Sequence, residues 1–218
     1  MRARFDGPYG RLYDAIASNE RLLQSVWPGS ALGAIPELVR RAYRDAPDEP
    51  LLDVPCGAAS SLVHGAGVAR TAPVVALDVS VAMLSRAADR VVQCAPPFEV
   101  DVVEGDALNL PMAAATFGAV LSINGLHCMP DPARFVAELA RVARTGATLT
   151  MTTLVDAGSL RSRIFNDVFR RGGVLPATPP TLEALVAMLQ DAGWSLVEPV
   201  VGGGLVAVRC VRVQGQVG

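Results

Sequence analysis

Leu51-Leu52-Asp53-Val54-Pro55-Cys56-Gly57-Ala58-Ala59-Ser60, followed by Val74-Val75-Ala76-Leu77-Asp78, is the stretch whose reading decides the fold. An apolar strand breaks at a turn of proline, glycine and alanine, and a second apolar strand ends in a carboxylate about twenty residues later, the spacing with which nucleotide-binding α/β folds hold a ribose. A turn leaving a parallel strand needs residues without bulk, so that its backbone N–H groups can approach a ligand. Gly57, Ala58 and Ala59 meet that need. Asp78 offers a carboxylate that matches two vicinal hydroxyls and repels a 2′-phosphate. Of the glycines usual in a dinucleotide fingerprint only Gly57 is present, which argues against a bound pyrophosphate.

Outward from this pair the chain alternates. Residues 9–26 place Leu12, Ile16, Leu22 and Leu23 among Asp14, Asn19, Glu20 and Arg21, an amphipathic helix ahead of the core. A second helix is expected over 34–46, and Pro47-Asp48-Glu49-Pro50 then punctuates entry into a strand at 51–54. Further strands are expected at 74–78, 98–103, 117–123 and 147–154, and two more around 194–200 and 205–213, joined as a hairpin by Gly202-Gly203-Gly204. Helices follow Ser80 as N-cap, run from Asp131-Pro132 to about Arg144 before Thr145-Gly146, and cover 181–192. No strand is expected in 155–180. The alternation predicts an α/β fold with a largely parallel sheet covered on both faces and one antiparallel strand.

Composition narrows the function. The 218 residues, 51% of them hydrophobic, suffice for one substantial core, and a net charge of −2 leaves no electrostatic footprint for nucleic acid. Every basic residue is an arginine, which excludes a lysine base or Schiff base. Cys56, Cys94, Cys128 and Cys210 are scattered and only His64 and His127 could join them, so neither a metal site nor a disulfide framework has support. No apolar run reaches the length of a membrane span and no signal-like segment opens the chain, so a cytoplasmic protein without stable membrane insertion is expected. The expected partner is a small molecule, with at most a second copy of the chain as a homodimer.

Leu52-Asp53-Val54-Pro55-Cys56-Gly57, Asp78-Val79-Ser80 with Met83-Leu84, Gly105-Asp106-Ala107 with Leu110-Pro111, 117–127 with Asp131-Pro132, and Arg141-Val142 with Thr145-Gly146 follow one another in the order and spacing of one family. The chain resembles the class I S-adenosylmethionine-dependent methyltransferases, especially the small-molecule group related to quinone-biosynthesis methyltransferases. The resemblance implies a Rossmann-like, doubly wound, seven-stranded sheet with its last strand antiparallel. It also implies an N-terminal helical lid over 1–47 and a cofactor-binding core over 48–218, with a lid insertion at 155–180. By position, Asp53 and Gly57 would border the methionine part of S-adenosylmethionine, Asp78 would bind its ribose, and Ala58 and Asn124 would also line the cofactor site. Val79 or Met83 would pack on adenine, and Asp106 with Ala107 would meet the adenine amino edge. Pro55 and Ala59 stand where glycines are frequent, and Gly118 where an aspartate is common.

Each assignment has a plain packing alternative. Asp78 could cap the following helix, Met83 could be core, and Asp106 could stabilise its own turn. His127 is the candidate general base for an oxygen acceptor, or else a hydrogen-bonded wall residue. Tyr9 and Tyr13 share a helical face as a lid, and Phe165 and Phe169 lie in an apolar pattern interleaved with Arg161, Arg163, Arg170 and Arg171, the other side of a lid or an ordinary solvated helix face. The expected reaction is methyl transfer to a small-molecule acceptor, at oxygen. The alternatives are a non-catalytic S-adenosylmethionine-binding protein and an NAD-dependent oxidoreductase.

Overall fold

A computed structural model of the chain describes residues 31–158, 166–167, 170–171, 175–198 and 200–213. The expected helix at 9–26, with Tyr9 and Tyr13, lies outside these residues, as do Phe165 and Phe169.

Among the described residues eight strands form one sheet, the expected seven plus the two-residue β7: β1 (Leu51–Asp53), β2 (Val74–Asp78), β3 (Val100–Glu104), β4 (Phe117–Ile123), β5 (Ala143–Leu154), β6 (Trp194–Leu196), β7 (Val201–Gly202) and β8 (Leu205–Arg212). Their order is β3-β2-β1-β4-β5-β8-β6, with β7 paired to β8. The β1 to β5 pairs are parallel, and β8 enters antiparallel between β5 and β6. The chain leaves β1 toward β2 and β3 on one side and returns to β4 and β5 on the other. Its direction of winding therefore reverses between β1 and β4, and the crevice at their carboxyl ends is where open α/β sheets take ligands.

Alternation within the strands sorts side chains to two cores. Leu52, Val120, Leu149 and Val208 face helices α4 (Pro132–Val142) and α5 (Leu182–Asp191) through Phe135, Leu139, Leu185 and Leu189. Leu51, Val74, Ala119 and Leu121 face α1 (Ile35–Arg44) and α3 (Val81–Cys94) through Val39, Tyr43 and Ala87. Adjacent Leu51 and Leu52 serve opposite faces, as the two-residue period of a strand requires. A single turn, α2 (Leu62–Gly65), follows the β1 loop. Three helices begin at side-chain caps: Ser80 accepts Met83 N–H, Asp131 accepts Arg134 N–H, and Thr181 accepts Ala184 N–H.

Several boundaries differ from the sequence expectation. The helix expected over 34–46 is a 3-10 turn, Ala31–Ala34, then α1, which starts where Pro36 can occupy the first turn without losing a hydrogen bond. Strand β3 starts at Val100 instead of 98, because Phe98 turns into the core against Tyr43 at a ring distance of 5.9 Å. Strand β5 begins at Ala143, with no break at Thr145-Gly146. A register shift between Phe117 and Ala119 absorbs the glycine, whose φ is +82°. The final hairpin forms between β7 and β8, and Gly202 cannot be replaced there: a Cβ would stand 2.2 Å from the Leu205 carbonyl oxygen. At Gly118 the space an aspartate would need is filled by Glu49, which pairs with Arg144.

Of the expected lid insertion, Val155 and Leu175 are buried, Leu175 against Leu32, Leu154 and Leu205. Arg170 and Arg171 both pair with Asp167 at 2.7 and 2.9 Å, one exposed turn of charge. No helix among the described residues is long and apolar enough to cross a membrane.

Candidate active site

Three loops meet at the carboxyl edge of the sheet because their backbones are bonded to one another. Cys56 N–H donates to the Leu77 carbonyl at 2.8 Å, tying the β1 loop to the end of β2, and Gly105 N–H donates to the Asp78 carbonyl at 3.0 Å, tying the β3 loop to the same point. Asp78 sits at the centre, 7% exposed. One carboxylate oxygen accepts Gly57 N–H and the other accepts Ser80 N–H, each at 2.9 Å. Ser80, not Asp78, caps α3. These two bonds fix the orientation of the Asp78 carboxylate at the sheet edge.

Gly57 has φ +53°, and a Cβ built there meets nothing within 4 Å. The left-handed turn thus opens a bare face of backbone beside a buried carboxylate. Ala58 is buried, and its carbonyl is held by Arg90 of α3 at 2.5 Å.

Asp53, at the end of β1, is 3% exposed and accepts a short hydrogen bond from the Ser61 hydroxyl. Burial pushes its carboxyl up to about 7, with the Asp78 charge adding to the effect and Ser61 opposing it. Tyr43 reaches Ser61 from below, and burial raises its hydroxyl far above the usual value. No guanidinium among the described residues pairs with Asp53. Cys56, also buried, has its thiol raised by desolvation and by the two neighbouring carboxylates, which makes it inert packing.

On the β4 side Asn124 has φ +57°; its N–H donates to Thr152 O at 2.9 Å, and its side-chain carbonyl accepts the Thr152 hydroxyl at 3.0 Å. Gly125 packs so closely on the β1 loop that a Cβ would lie 2.4 Å from Pro55 Cδ. His127 follows in the 3-10 turn Leu126–Cys128 and is 8% exposed. Its Nδ1 accepts Leu154 N–H at 3.2 Å and lies 3.2 Å from the Thr153 hydroxyl. A lone pair on Nδ1 puts the proton of the neutral ring on Nε2. Burial lowers the ring's pKa to about 4.

Val79 is half-buried and Met83 is buried at the start of α3; Asp106 accepts Leu108 N–H at 2.9 Å in a turn of its own, with Ala107 buried beside it. The structure therefore brings Asp53, Gly57, Ala58, Asp78, Asp106 and Asn124 to one edge. Ser61 and Arg90 are the residues that sequence reasoning missed, and no periodicity or local motif marks either.

Residues 52–151 match the family described as methyltransferase domain. A demethylmenaquinone methyltransferase of Mycolicibacterium vanbaalenii is 32% identical over 196 residues, covering 78% of this chain and 81% of that protein. The chain belongs to the class I S-adenosylmethionine-dependent methyltransferases. A 2-phytyl-1,4-naphtoquinone methyltransferase of Synechococcus elongatus is 32% identical to this methyltransferase over 132 residues, covering 60% of the chain and 57% of that protein. A S-adenosylmethionine-dependent methyltransferase of Aquifex aeolicus has the same fold, with a TM-score of 0.65 at 20% identity over 93% of this chain and 98% of that one. The cofactor is S-adenosylmethionine. The residues present fit it: a buried carboxylate aimed by two amides at the strand end, an open glycine face beside it, and Asp53, a second buried carboxyl that no guanidinium among the described residues pairs with and that a methionine ammonium could meet.

Proposed function

We propose that this methyltransferase methylates a hydroxyl-bearing ring compound of the quinol or phenol class, at oxygen. The observation that carries the site reading is the Asp78 carboxylate, aimed by Gly57 and Ser80 beside the open face of Gly57. The quinone-type names of the two relatives support the acceptor class.

In this reading Asp78 accepts the ribose hydroxyls, and Asp53, Gly57, Ala58 and Asn124 border the methionine end. Val79 and Met83 pack on adenine, while Asp106 and Ala107 meet its amino edge. Residues 1–47 and 155–180, with Tyr9, Tyr13, Phe165 and Phe169, close the acceptor pocket over the core at 48–218. The bound cofactor supplies an electrophilic methyl group on a sulfonium that departs as a neutral thioether, so alignment and exclusion of water dominate the protein's task.

From the sequence His127 is a candidate base or a hydrogen-bonded wall residue. Its Nδ1 lone pair is committed to Leu154 N–H, so we assign it a different part: Nε2–H donates to the acceptor oxygen and orients it. The acceptor then arrives ionised or loses its proton to solvent, as an acidic phenol or quinol does.

Binding calorimetry with S-adenosylmethionine, S-adenosylhomocysteine and NAD, followed by a methyl-transfer screen of phenols and quinols with product mapping by NMR, tests this. Micromolar binding of S-adenosylhomocysteine and an O–CH3 product are expected, with no titration of the rate near pH 6.5. A C–CH3 product would overturn the atom assigned, and a rate that rises through pH 6–7 and is lost in His127→Gln would restore the base.

A further inference from the structure

The loop between β3 and β4, residues 105–116, is tied by backbone bonds at its two ends and by the turn and isolated bridge at Asp106 and Asn109, which leaves the Leu108, Leu110 and Met112 carbonyls and the Leu110 N–H to be satisfied from elsewhere. One face of α4 does so. Arg134, Glu138 and Arg141 stand at i, i+4 and i+7, hence on one stripe of the helix. Arg134 Nε donates to the Leu108 carbonyl at 2.7 Å. Glu138 Oε2 accepts Leu110 N–H at 2.8 Å. Arg141 donates from Nη2 to the Leu110 carbonyl at 2.9 Å and from Nη1 to the Met112 carbonyl at 2.8 Å. The two charged groups are themselves locked: Arg141 Nε and Nη2 each meet a Glu138 oxygen at 2.8 Å.

Such a fork has planar, fixed geometry, so it sets the path of the loop more tightly than single bonds to water would. The opposite face of α4, through Phe135, Val136, Leu139 and Ala140, is anchored in the core. Its position is therefore transmitted to Leu108, Leu110 and Met112, immediately after Asp106 and Ala107.

We propose that Glu138, Arg141 and Arg134 are positioning residues for the adenosine end of the cofactor. They act by presetting the β3 loop, without touching the cofactor. The proposal rests on Asp106 and Ala107 bordering the adenine, as assigned above. Preorganisation of this kind shows as affinity, because a loop not held beforehand must be ordered on binding.

The test compares S-adenosylhomocysteine with 5′-methylthioadenosine, which keeps the adenosine and lacks the amino-acid end, by calorimetry on the folded full chain. Arg141→Met should weaken both ligands by the same factor, about tenfold. Glu138→Ala should do likewise, while Glu138→Gln, which keeps an acceptor for Leu110 N–H, should recover most of the loss. Arg134→Leu removes one exposed contact, folds regardless, and should weaken both ligands about twofold to threefold. Unchanged affinities in folded Arg141→Met and Arg134→Leu would overturn the proposal, as would a loss confined to S-adenosylhomocysteine, which would place the effect at the methionine end. Wild-type protein that binds neither ligand would instead overturn the cofactor-site assignment on which the proposal rests.

Discussion

The loops after β1 and β3 lie side by side at the sheet edge and are held in opposite ways. The β1 loop is fixed from below by buried groups: Asp78 on Gly57, Ser61 on Asp53, Cys56 on Leu77. The β3 loop is fixed from the side by a charged helix face, of which Arg141 is 38% and Glu138 17% exposed. Burial makes each bond of the first loop costly to lose and sensitive to protonation, whereas the second keeps its charges in solvent contact and gains rigidity from the number of bonds it makes. A buried carboxylate can thus be aimed by two amides, and a loop too polar to bury can still be ordered.

The contrast is broken most severely at Asp78. Asp78→Ala takes the accepting carboxylate from the buried Ser80 N–H and the half-buried Gly57 N–H, at about 1–3 kcal/mol for the first and less for the second. Urea unfolding should show a loss of about 2–4 kcal/mol, and calorimetry a loss of at least tenfold in S-adenosylhomocysteine affinity. Affinity intact in the folded variant would remove Asp78 from the site.

The second effect is on pH. Asp53 keeps its proton to about pH 7 when folded and releases it near 3.8 when unfolded, so its contribution to stability is full below pH 4 and is lost as pH rises toward 7. His127 runs the other way, protonating near 4 when folded and 6.5 when unfolded, so its contribution is full above 6.5 and is lost as pH falls toward 4. The two slopes oppose each other between pH 4 and 6.5. Unfolding free energies from urea titrations of Asp53→Asn should therefore rise with pH across that window and those of His127→Gln should fall, each by up to about 1.4 kcal/mol per pH unit. Parallel profiles in the two variants would show that neither group titrates as assigned.

Ser61→Ala sharpens the same point on a smaller scale. It removes the donor that offsets the burial of Asp53, so about 1 kcal/mol of stability should go and the upper end of the Asp53 slope should move to higher pH. An unmoved profile would detach Ser61 from Asp53. The smallest effect expected is from Arg90→Leu, which removes a single part-buried hydrogen bond, the one to the Ala58 carbonyl. A loss of S-adenosylhomocysteine affinity of about threefold, with a change in stability under about 1 kcal/mol, is expected from calorimetry and urea melts.

What was legible in the sequence was whatever a few neighbouring residues encode. The turn at Gly57, the strand-end Asp78, the cap Ser80, the helix opening at Asp131-Pro132, and strands β2 and β4 are set by two-residue alternation, local hydrogen bonding and backbone freedom, and they stand where the residues place them. Tertiary structure decided the partners across distance: Arg90 for Ala58, Tyr43 beneath Ser61, the α4 stripe for the β3 loop, and the Leu154 N–H that takes the His127 lone pair. It also decided that β5 starts at Ala143, since a register shift against β4 outweighed the breaking tendency of Thr145-Gly146. Local rules act over three or four residues and are written in the order of the chain. A side chain that must satisfy a buried backbone group takes whichever partner the packing of distant segments brings within 3 Å, and linear order holds no record of that choice.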